Sequence, residues 1–538
     1  MLDFVCAQYE DILLPAEQEF IRRFATLNED AQCLFVRFCN RKGYYFRTQA
    51  LCYPEIEDLG DTLNQLFAAG FLRSVTVADE PDAWLSLFTK TELQQAARRL
   101  ETAYPPPSSM KKGDLVRWLV HTYDTSVLLE VFGEQDRLVS VAFQVEVMMF
   151  RFLFFGNRHA GQTEFVVRDL GHVRFENYDE SQLTRRFSTR AEVEQSLMIS
   201  LTKEAFYQLR DALPPEEVFD WFMNWQASIG SLSDLALPAF GRFVNRVGAW
   251  LERQKLAQQA LNVYQLTDQL PARERRTRLL HKLGLLDEAR ALCEEIQADP
   301  QSAEELYFAK DFWAKCASRS KRVVRHVTHA LNRAEVIELP WSSKDSVEQK
   351  AIAYYEALGY EAFFAENEPW RAFFGLLFWD IIHDTQSKAI HHPLQRLPSD
   401  FFLPDFYQKR KLQLLQRCQE LHTKEVIDRR LEGVLAKKWG TTNALVCWYE
   451  QLPAQLFRLT ACIQPEQIQA ILLEMAKNLR ENTRGFPDLL IWKSNYYQLV
   501  EIKSPSDHLS AQQLHWQYFF EKINVNSAVV RVKWQQPD

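Results

Sequence analysis

Glycine is scarce in this chain, 17 of 538 residues. Leu, Ala, Glu, Gln and Arg abound instead, so the chain reads as mainly α-helical, with strands confined to small regions. Cysteine is thin as well: nine residues, odd in number and scattered, with no CxxC. Cys33 and Cys39 have no histidine at zinc-finger spacing. A disulfide framework and a zinc finger are thereby excluded, and the thiols read as reduced core residues of a cytosolic protein. Long apolar runs are missing. The most apolar stretch, Val141 to Phe155, contains Gln144, Glu146 and Arg151. It is too short and too charged to span a bilayer and reads as strands or a buried helix. The start, Met1-Leu-Asp-Phe, lacks the basic region of a secretory signal. An excess of positive charge is also missing, since the formal net charge is -8. Nucleic-acid binders are often basic overall, so any attraction to phosphate must come from local patches. With 47% hydrophobic residues the chain can bury several cores, and a single domain of this length would be unusual.

What is present is concentrated near the C-terminal end. Gly485-Phe-Pro-Asp488 opens an apolar run, Leu489 to Trp492, and a second run, Tyr496 to Ile502, ends in Glu501-Ile502-Lys503. Both runs have strand length and composition, and Lys493 to Tyr496 reads as a tight turn. If Lys493 pairs with Tyr496, Asp488 falls opposite Glu501, with Cβ atoms roughly 5 Å apart. Glu501 and Lys503 then project from one face. Directly opposed carboxylates repel, and a divalent cation between them would resolve the conflict. Such a cation polarises a phosphodiester and activates water, while Lys503 orients that water or meets charge developing at phosphorus. A surface hairpin with a solvated Asp and a Glu/Lys pair fits the spacing equally well.

The surroundings favour a site. Pro505 ends the second strand. Ser510 and Gln513 form a capping box for a helix carrying Leu514, Tyr518, Phe519 and Ile523 on one side. Ala528 to Trp534 is a further strand, and a helix from about Glu466 to Arg480 precedes the hairpin. The order strand, strand, helix, strand is the core of the PD-(D/E)xK nucleases.

Leu499-Val-Glu501-Ile-Lys503-Ser-Pro-Ser-Asp507-His-Leu-Ser510, with Gln513 and Trp516, resembles a VRR-NUC nuclease domain. Phe374-Gly-Leu-Leu-Phe-Trp-Asp-Ile-Ile382 and the overall layout extend the resemblance to the Fanconi-associated nuclease family, in a bacterial-type form. It covers most of the chain and is most specific in the last 180 or so residues. The resemblance implies a structure-specific DNA nuclease, a 5′-flap endonuclease and 5′-to-3′ exonuclease using Mg²⁺ or Mn²⁺. Its substrate would be branched DNA, its role repair of interstrand crosslinks, and its location cytoplasmic and nucleoid-associated. Asp488 and Glu501 match the metal ligands, Lys503 the catalytic lysine, and Ile502 would offer its backbone carbonyl. Gln513 supports them. Counting back from Gly375, Glu366 matches the upstream metal ligand, with Glu368 a competitor. Ala365 and Asn367 depart from the family's Gly-Glu-Gly, and an acidic residue before Pro369 also suits a helix N-terminus.

The rest of the chain divides as follows. Residues 1–80 read as winged-helix-like, with helices at Ala31–Asn40 and Ile56–Ala69, a strand at Tyr44-Tyr-Phe-Arg and another from Gly70. Residues 81–126 read as a SAP-like helix-loop-helix whose second helix opens at Lys111 and Lys112. Those lysines could meet a phosphate, or simply cap a helix in water. Residues 127–234 are a mixed α/β connecting region with strand-like Glu164-Phe-Val-Val and His172-Val-Arg-Phe. Residues 235–340 read as a TPR-like array, because Ala257-Gln-Gln-Ala-Leu and Leu286-Asp-Glu-Ala-Arg-Ala-Leu recur about 30 residues apart. Arg242, Arg246 and Arg253 form a stripe at helical spacing, and Lys315, Arg319, Lys321, Arg322 and Arg325 form a second basic cluster. Each also fits a solvated helix face. The resemblance implies a basic pocket for the 5′ end of a flap, and these clusters are the candidates. Residues 341–538 are the nuclease module, its VRR-NUC core at about 420–535. Asp380 is expected to be structural, and His383, His391 and His392 lack a fourth ligand at zinc spacing. No membrane segment and no ubiquitin-binding zinc finger is expected. Two other readings stay open: a sequence-specific restriction-type endonuclease, and a non-catalytic TPR scaffold.

Overall fold

Eight strands in two sheets sit among helices along the described residues. The computed structural model describes every residue except 42, 101–105, 159, 161–162, 172, 318–325, 342–344 and 536–538. The chain divides into two compact units, Met1–Glu164 and Phe165–Asp538.

In the first unit, β1 (Tyr45–Arg47), β2 (Leu72–Ser74) and β3 (Leu138–Val141) form an antiparallel sheet of order β1-β3-β2. Helices Glu29–Asn40 and Leu59–Ala68 accompany it, the latter shorter than the sequence reading by a few residues. Phe71 packs edge-on to Phe20 and Phe35. The central strand comes from residues 138–141, beyond the helix pair Lys90–Arg99 and Lys112–Thr122. The module expected over 1–80 is therefore completed by a strand distant in sequence, which no local pattern announces. The apolar stretch after it is a buried helix, Gln144–Phe155.

The strand-like reading of Glu164-Phe-Val-Val is corrected: Thr163–Asp169 is a helix. Val166 and Leu170 are exposed there. A β-branched run gains from extension only where a neighbouring strand pairs with it. Of His172-Val-Arg-Phe, residue 172 lies outside the described residues, and Arg174 makes only an isolated bridge to Thr441.

Helices Leu237–Arg253, Ala257–Tyr264, Ala272–Lys282, Leu286–Ala298 and Ala303–Ala317 pack each on the next. Phe243, Val247, Leu251, Ala260 and Tyr264 lie in their shared core. This is the nearest-neighbour stacking of a helical array.

The nuclease sheet contains β4 (Glu335–Pro340), β5 (Glu361–Phe364), β6 (Leu489–Lys493), β7 (Tyr496–Lys503) and β8 (Ser527–Gln535), in order β4-β8-β7-β6-β5. The β6–β7 hairpin is antiparallel, and β7 and β8 are parallel, joined by the helix Ala511–Lys522. A parallel pair needs such a crossover. Residues 335–340, expected to end the helical array, instead pair in parallel with β8. Both sheet faces are covered. Leu489, Ile491, Val500 and Ile502 face the helix Val347–Ala357, with Ala351 and Tyr355. Leu490 and Leu499 face a larger core with Trp370, Phe486 and Trp516. Among the described residues no helix is long and apolar enough to cross a membrane.

Candidate active site

Lys493 pairs with Tyr496 and Leu489 with Val500. Asp488, the next residue outward, therefore faces Glu501. Ser494 takes a positive φ of 53° to close the two-residue turn. Asp488, Glu501 and Lys503 share the strand parity of Leu490 and Leu499, so they emerge on the large-core face. The Ile502 N–H donates to Asp488 Oδ2 at 2.7 Å. An extended residue points its N–H and C=O to the same edge, so the Ile502 carbonyl is directed toward Asp488 as well.

The loop entering the site is built tightly. Gly485 has φ 81°, and a Cβ there would lie 3.0 Å from the backbone carbon of Gln512. Phe486 is stacked between Trp370 (4.8 Å between centroids) and Trp516 (4.2 Å). Trp516 Nε1 also donates to the Arg484 carbonyl at 3.0 Å. On the other side the Ala365 N–H donates to the Asp488 carbonyl at 2.8 Å. This bond prolongs the β5–β6 ladder and sets Glu366 beside Asp488. Asn367 Oδ1 accepts from the Phe486 N–H at 3.2 Å, tying the two loops together.

Asp488, Glu501 and Lys503 are 8%, 3% and 8% exposed. Glu501 Oε1 accepts from Lys503 Nζ and from Gln513 Nε2, each at 2.6 Å. Glu501 Oε2 is buried without a partner. Burial, then the nearby Asp488, pushes the Glu501 carboxyl well above its usual range. Burial pushes Asp488 up to about 6, and Glu366 and Glu348 add to the rise against the opposing Ile502 N–H and Lys503. Burial alone would pull Lys503 down, but Glu501, joined by Asp488 and Asp507, offsets this and holds the ammonium charged. The site thus has an excess of acidic charge that its lysine does not neutralise. A divalent cation fits it: an orphaned carboxylate oxygen, a second carboxylate opposite and a carbonyl aimed between them are hard oxygen donors. No three His, Cys, Asp or Glu side chains among the described residues form a ready cluster. Mg²⁺ does not require one, since it is held by one or two carboxylates and keeps several waters.

The two upstream candidates separate. The charge of Glu366 acts on Asp488 and Glu501, whereas that of Glu368 acts on Cys447 and Tyr449. Glu366 itself is exposed, one oxygen accepting from its neighbour Asn367 Nδ2 at 2.8 Å. Sequence reading missed Glu348, in the first turn of the helix Val347–Ala357, whose charge reaches Asp488. Its only signal was an acidic residue in a capped first turn, which many helices carry.

The basic candidates fare differently. Lys111 and Lys112 are exposed in the Met1–Glu164 unit, and Lys112 Nζ donates to the Ser86 carbonyl at 2.7 Å. Arg319, Lys321, Arg322 and Arg325 lie outside the described residues. Lys315 lies over the Phe312 ring at 5.0 Å. Arg242, Arg246 and Arg253 are exposed on one helix. Desolvation, then the like charge of Arg480, pulls the Arg242 pKa down. Arg480 follows the helix Pro465–Lys477 of the nuclease module, and sequence reading missed it. Neither arginine is in an ion pair among the described residues. Asp380 pairs with Arg417 and Arg430, each at 2.6 Å. His383 bonds Tyr178, and His391 bonds the Thr184 carbonyl and Ser399.

The family model described as "FAN1, HTH domain" matches residues 1–73, and the VRR-NUC domain model matches 422–534. The chain is 26% identical to the Fanconi-associated nuclease 1 homolog of Pseudomonas aeruginosa, over 100% of this chain and 95% of the relative. The Arabidopsis thaliana homolog is also 26% identical, over 96% of this chain and 64% of the relative. The human Fanconi-associated nuclease 1 is 29% identical over 35% of this chain and 19% of its own length. The fold is shared with a crystal structure of paFAN1 bound to 2nt 5′-flap DNA with a gap, at a TM-score of 0.84 and 24% identity, covering 100% of this chain and 97% of that one. The similarity to Fanconi-associated nuclease 1 homologs thus runs along the whole length of the chain, with the HTH and VRR-NUC models matching towards its two ends.

Proposed function

We propose that the chain is a structure-specific DNA nuclease, a 5′-flap endonuclease and 5′-to-3′ exonuclease that serves DNA repair, including removal of interstrand crosslinks. The observation that carries the chemistry is the buried Asp488–Glu501 pair, with Glu501 Oε2 unpartnered and Lys503 charged beside it. Asp488, Glu501, the Ile502 carbonyl and Glu366 would hold Mg²⁺ or Mn²⁺. When bound, that cation would polarise the phosphodiester and acidify water. Lys503 steadies the attacking water and meets negative charge growing at phosphorus. Gln513 engages Glu501 Oε1 and so holds the carboxylate in place, leaving Oε2 without a partner. Arg242 and Arg480 bring two guanidinium groups together without a counter-charge, which suits a phosphate of the flap. The winged-helix-like and SAP-like elements, with Lys111 and Lys112, would carry duplex, and the helical array would join them to the nuclease. Labelled 5′-flap, 3′-flap and plain duplex DNA of matched sequence, with and without Mg²⁺ or Mn²⁺, test this reading. Metal-dependent internal incision confined to the 5′-flap, with only stepwise loss from 5′ ends in the other two, supports it. Internal incision of all three alike, or at one fixed sequence, rejects it.

A further inference from the structure

An asparagine that precedes a helix usually gives its side chain to the helix, accepting from an N–H of the first turn. Asn367 precedes the helix Glu368–Leu377 and makes no such cap bond. Its backbone is unusual as well. At φ 39° and ψ −53°, with the Glu368 N–H donating to the Glu366 carbonyl across it, Asn367 is the centre of a turn close to the rare, strained γ form. A positive φ is costly for a residue with a side chain, and glycine would hold this turn with less strain.

Both ends of the Asn367 amide are committed to the active site. Nδ2 donates to Glu366 Oε1 at 2.8 Å, and Oδ1 accepts from the Phe486 N–H at 3.2 Å. Phe486 is fixed between the rings of Trp370 and Trp516 and stands two residues before Asp488. The amide is therefore anchored on the loop that delivers one carboxylate and grips the other. Glu366 is exposed, and its Oε2 carries no bond among the described residues. An exposed glutamate loses rotamer freedom when a ligand orders it, and a bond already made to one of its oxygens removes part of that loss. Joining the two loops would not by itself call for this residue, since the Ala365 N–H already bonds the Asp488 carbonyl.

We infer that Asn367 is a positioning residue for the cation site: anchored on Phe486, its amide holds the Glu366 carboxylate in one orientation and leaves Oε2 for the metal. The strained turn places the amide where both bonds form at once. This rests on the reading of Glu366 as a metal ligand and deepens it, since an exposed side chain then reaches the site already ordered.

The test is calorimetric titration of the full chain with Mn²⁺, without DNA. Asn367→Gly suits the positive φ, so it removes the amide while retaining the turn. It should bind Mn²⁺ about 10-fold more weakly than the wild type. Glu366→Ala should also weaken binding, and adding Asn367→Gly to it should change the affinity by less than about twofold, because the two residues act as one unit. Equal weakening by Asn367→Gly with and without Glu366 would mean that the amide acts through the Phe486 loop alone, and that result overturns the inference. So does a wild-type Mn²⁺ affinity in Asn367→Gly when Glu366→Ala binds weakly. If Glu366→Ala itself kept the wild-type affinity, the assignment of Glu366 as a ligand would fall instead, so the two failures are distinguishable.

Discussion

Gln513 uses both ends of its amide: Oε1 accepts from the Ser510 N–H at 2.9 Å to close a helix cap, and Nε2 donates to Glu501 at 2.6 Å. The start of the last helix is thereby fastened to an acidic residue of the hairpin. Gln513→Ala should lose about 10-fold or more in cleavage rate, the usual cost of removing a group that orients a metal ligand, with flap binding nearly unchanged. Gln513→Glu keeps a capping carboxylate but places a second negative charge on Glu501, and should cleave more slowly than Gln513→Ala. Single-turnover rates and binding constants for the two variants check this. Equal activity of wild type and Gln513→Ala would remove the residue from the site.

The raised carboxyl groups make metal binding depend on pH. A folded-state pKa above the unfolded value contributes stability that is present at low pH and lost as pH rises through the folded value. Asp488 at about 6 and the higher Glu501 therefore destabilise the metal-free protein near neutral pH. Asp488→Asn keeps an oxygen for the Ile502 N–H and should stabilise the metal-free protein at pH 7.5 by about 3 kcal/mol, judged from the size of the shift. For the wild type, Mg²⁺ should raise the melting temperature at pH 7.5 and do little at pH 5, where protons hold the same oxygens. Thermal melts with and without Mg²⁺ at the two pH values decide it.

Gly485 should tolerate no side chain. Gly485→Ala meets both the positive φ and the Gln512 backbone, at a cost of about 1–3 kcal/mol. Because the loop also delivers Asp488, cleavage should fall further than stability does. Urea unfolding and a cleavage assay on one preparation separate the two effects.

Binding should weaken steeply with salt although the chain is acidic overall. Each phosphate contact contributes about one unit to the slope of log affinity against log salt. Arg242→Ala and Arg480→Ala should each lower that slope by about one, and together by less than two if both hold the same phosphate. A flat response in the wild type would dismiss these arginines as phosphate contacts.

How much was legible in the sequence depended on how local the geometry was. The hairpin register follows from turn length, so the facing of Asp488 and Glu501 could be read from residue numbers. The Ser510–Gln513 cap could be read the same way. What escaped was contact between distant segments. β4 joins the sheet only through parallel pairing with β8, and β3 completes the first sheet from beyond the helix pair. The approach of Arg480 to Arg242, and of Glu348 to Asp488, depends on how helices dock. Thr163–Asp169 misled because β-branched residues are a weak guide where no strand is available to pair.

The central claim, that the Asp488–Glu501 hairpin hydrolyses the phosphodiester, is tested most directly by Asp488→Ala on a 5′-flap substrate with Mg²⁺ or Mn²⁺. The predicted result is no detectable cleavage, with flap binding within a few fold of wild type. Cleavage by Asp488→Ala at a rate near that of the wild type would contradict it.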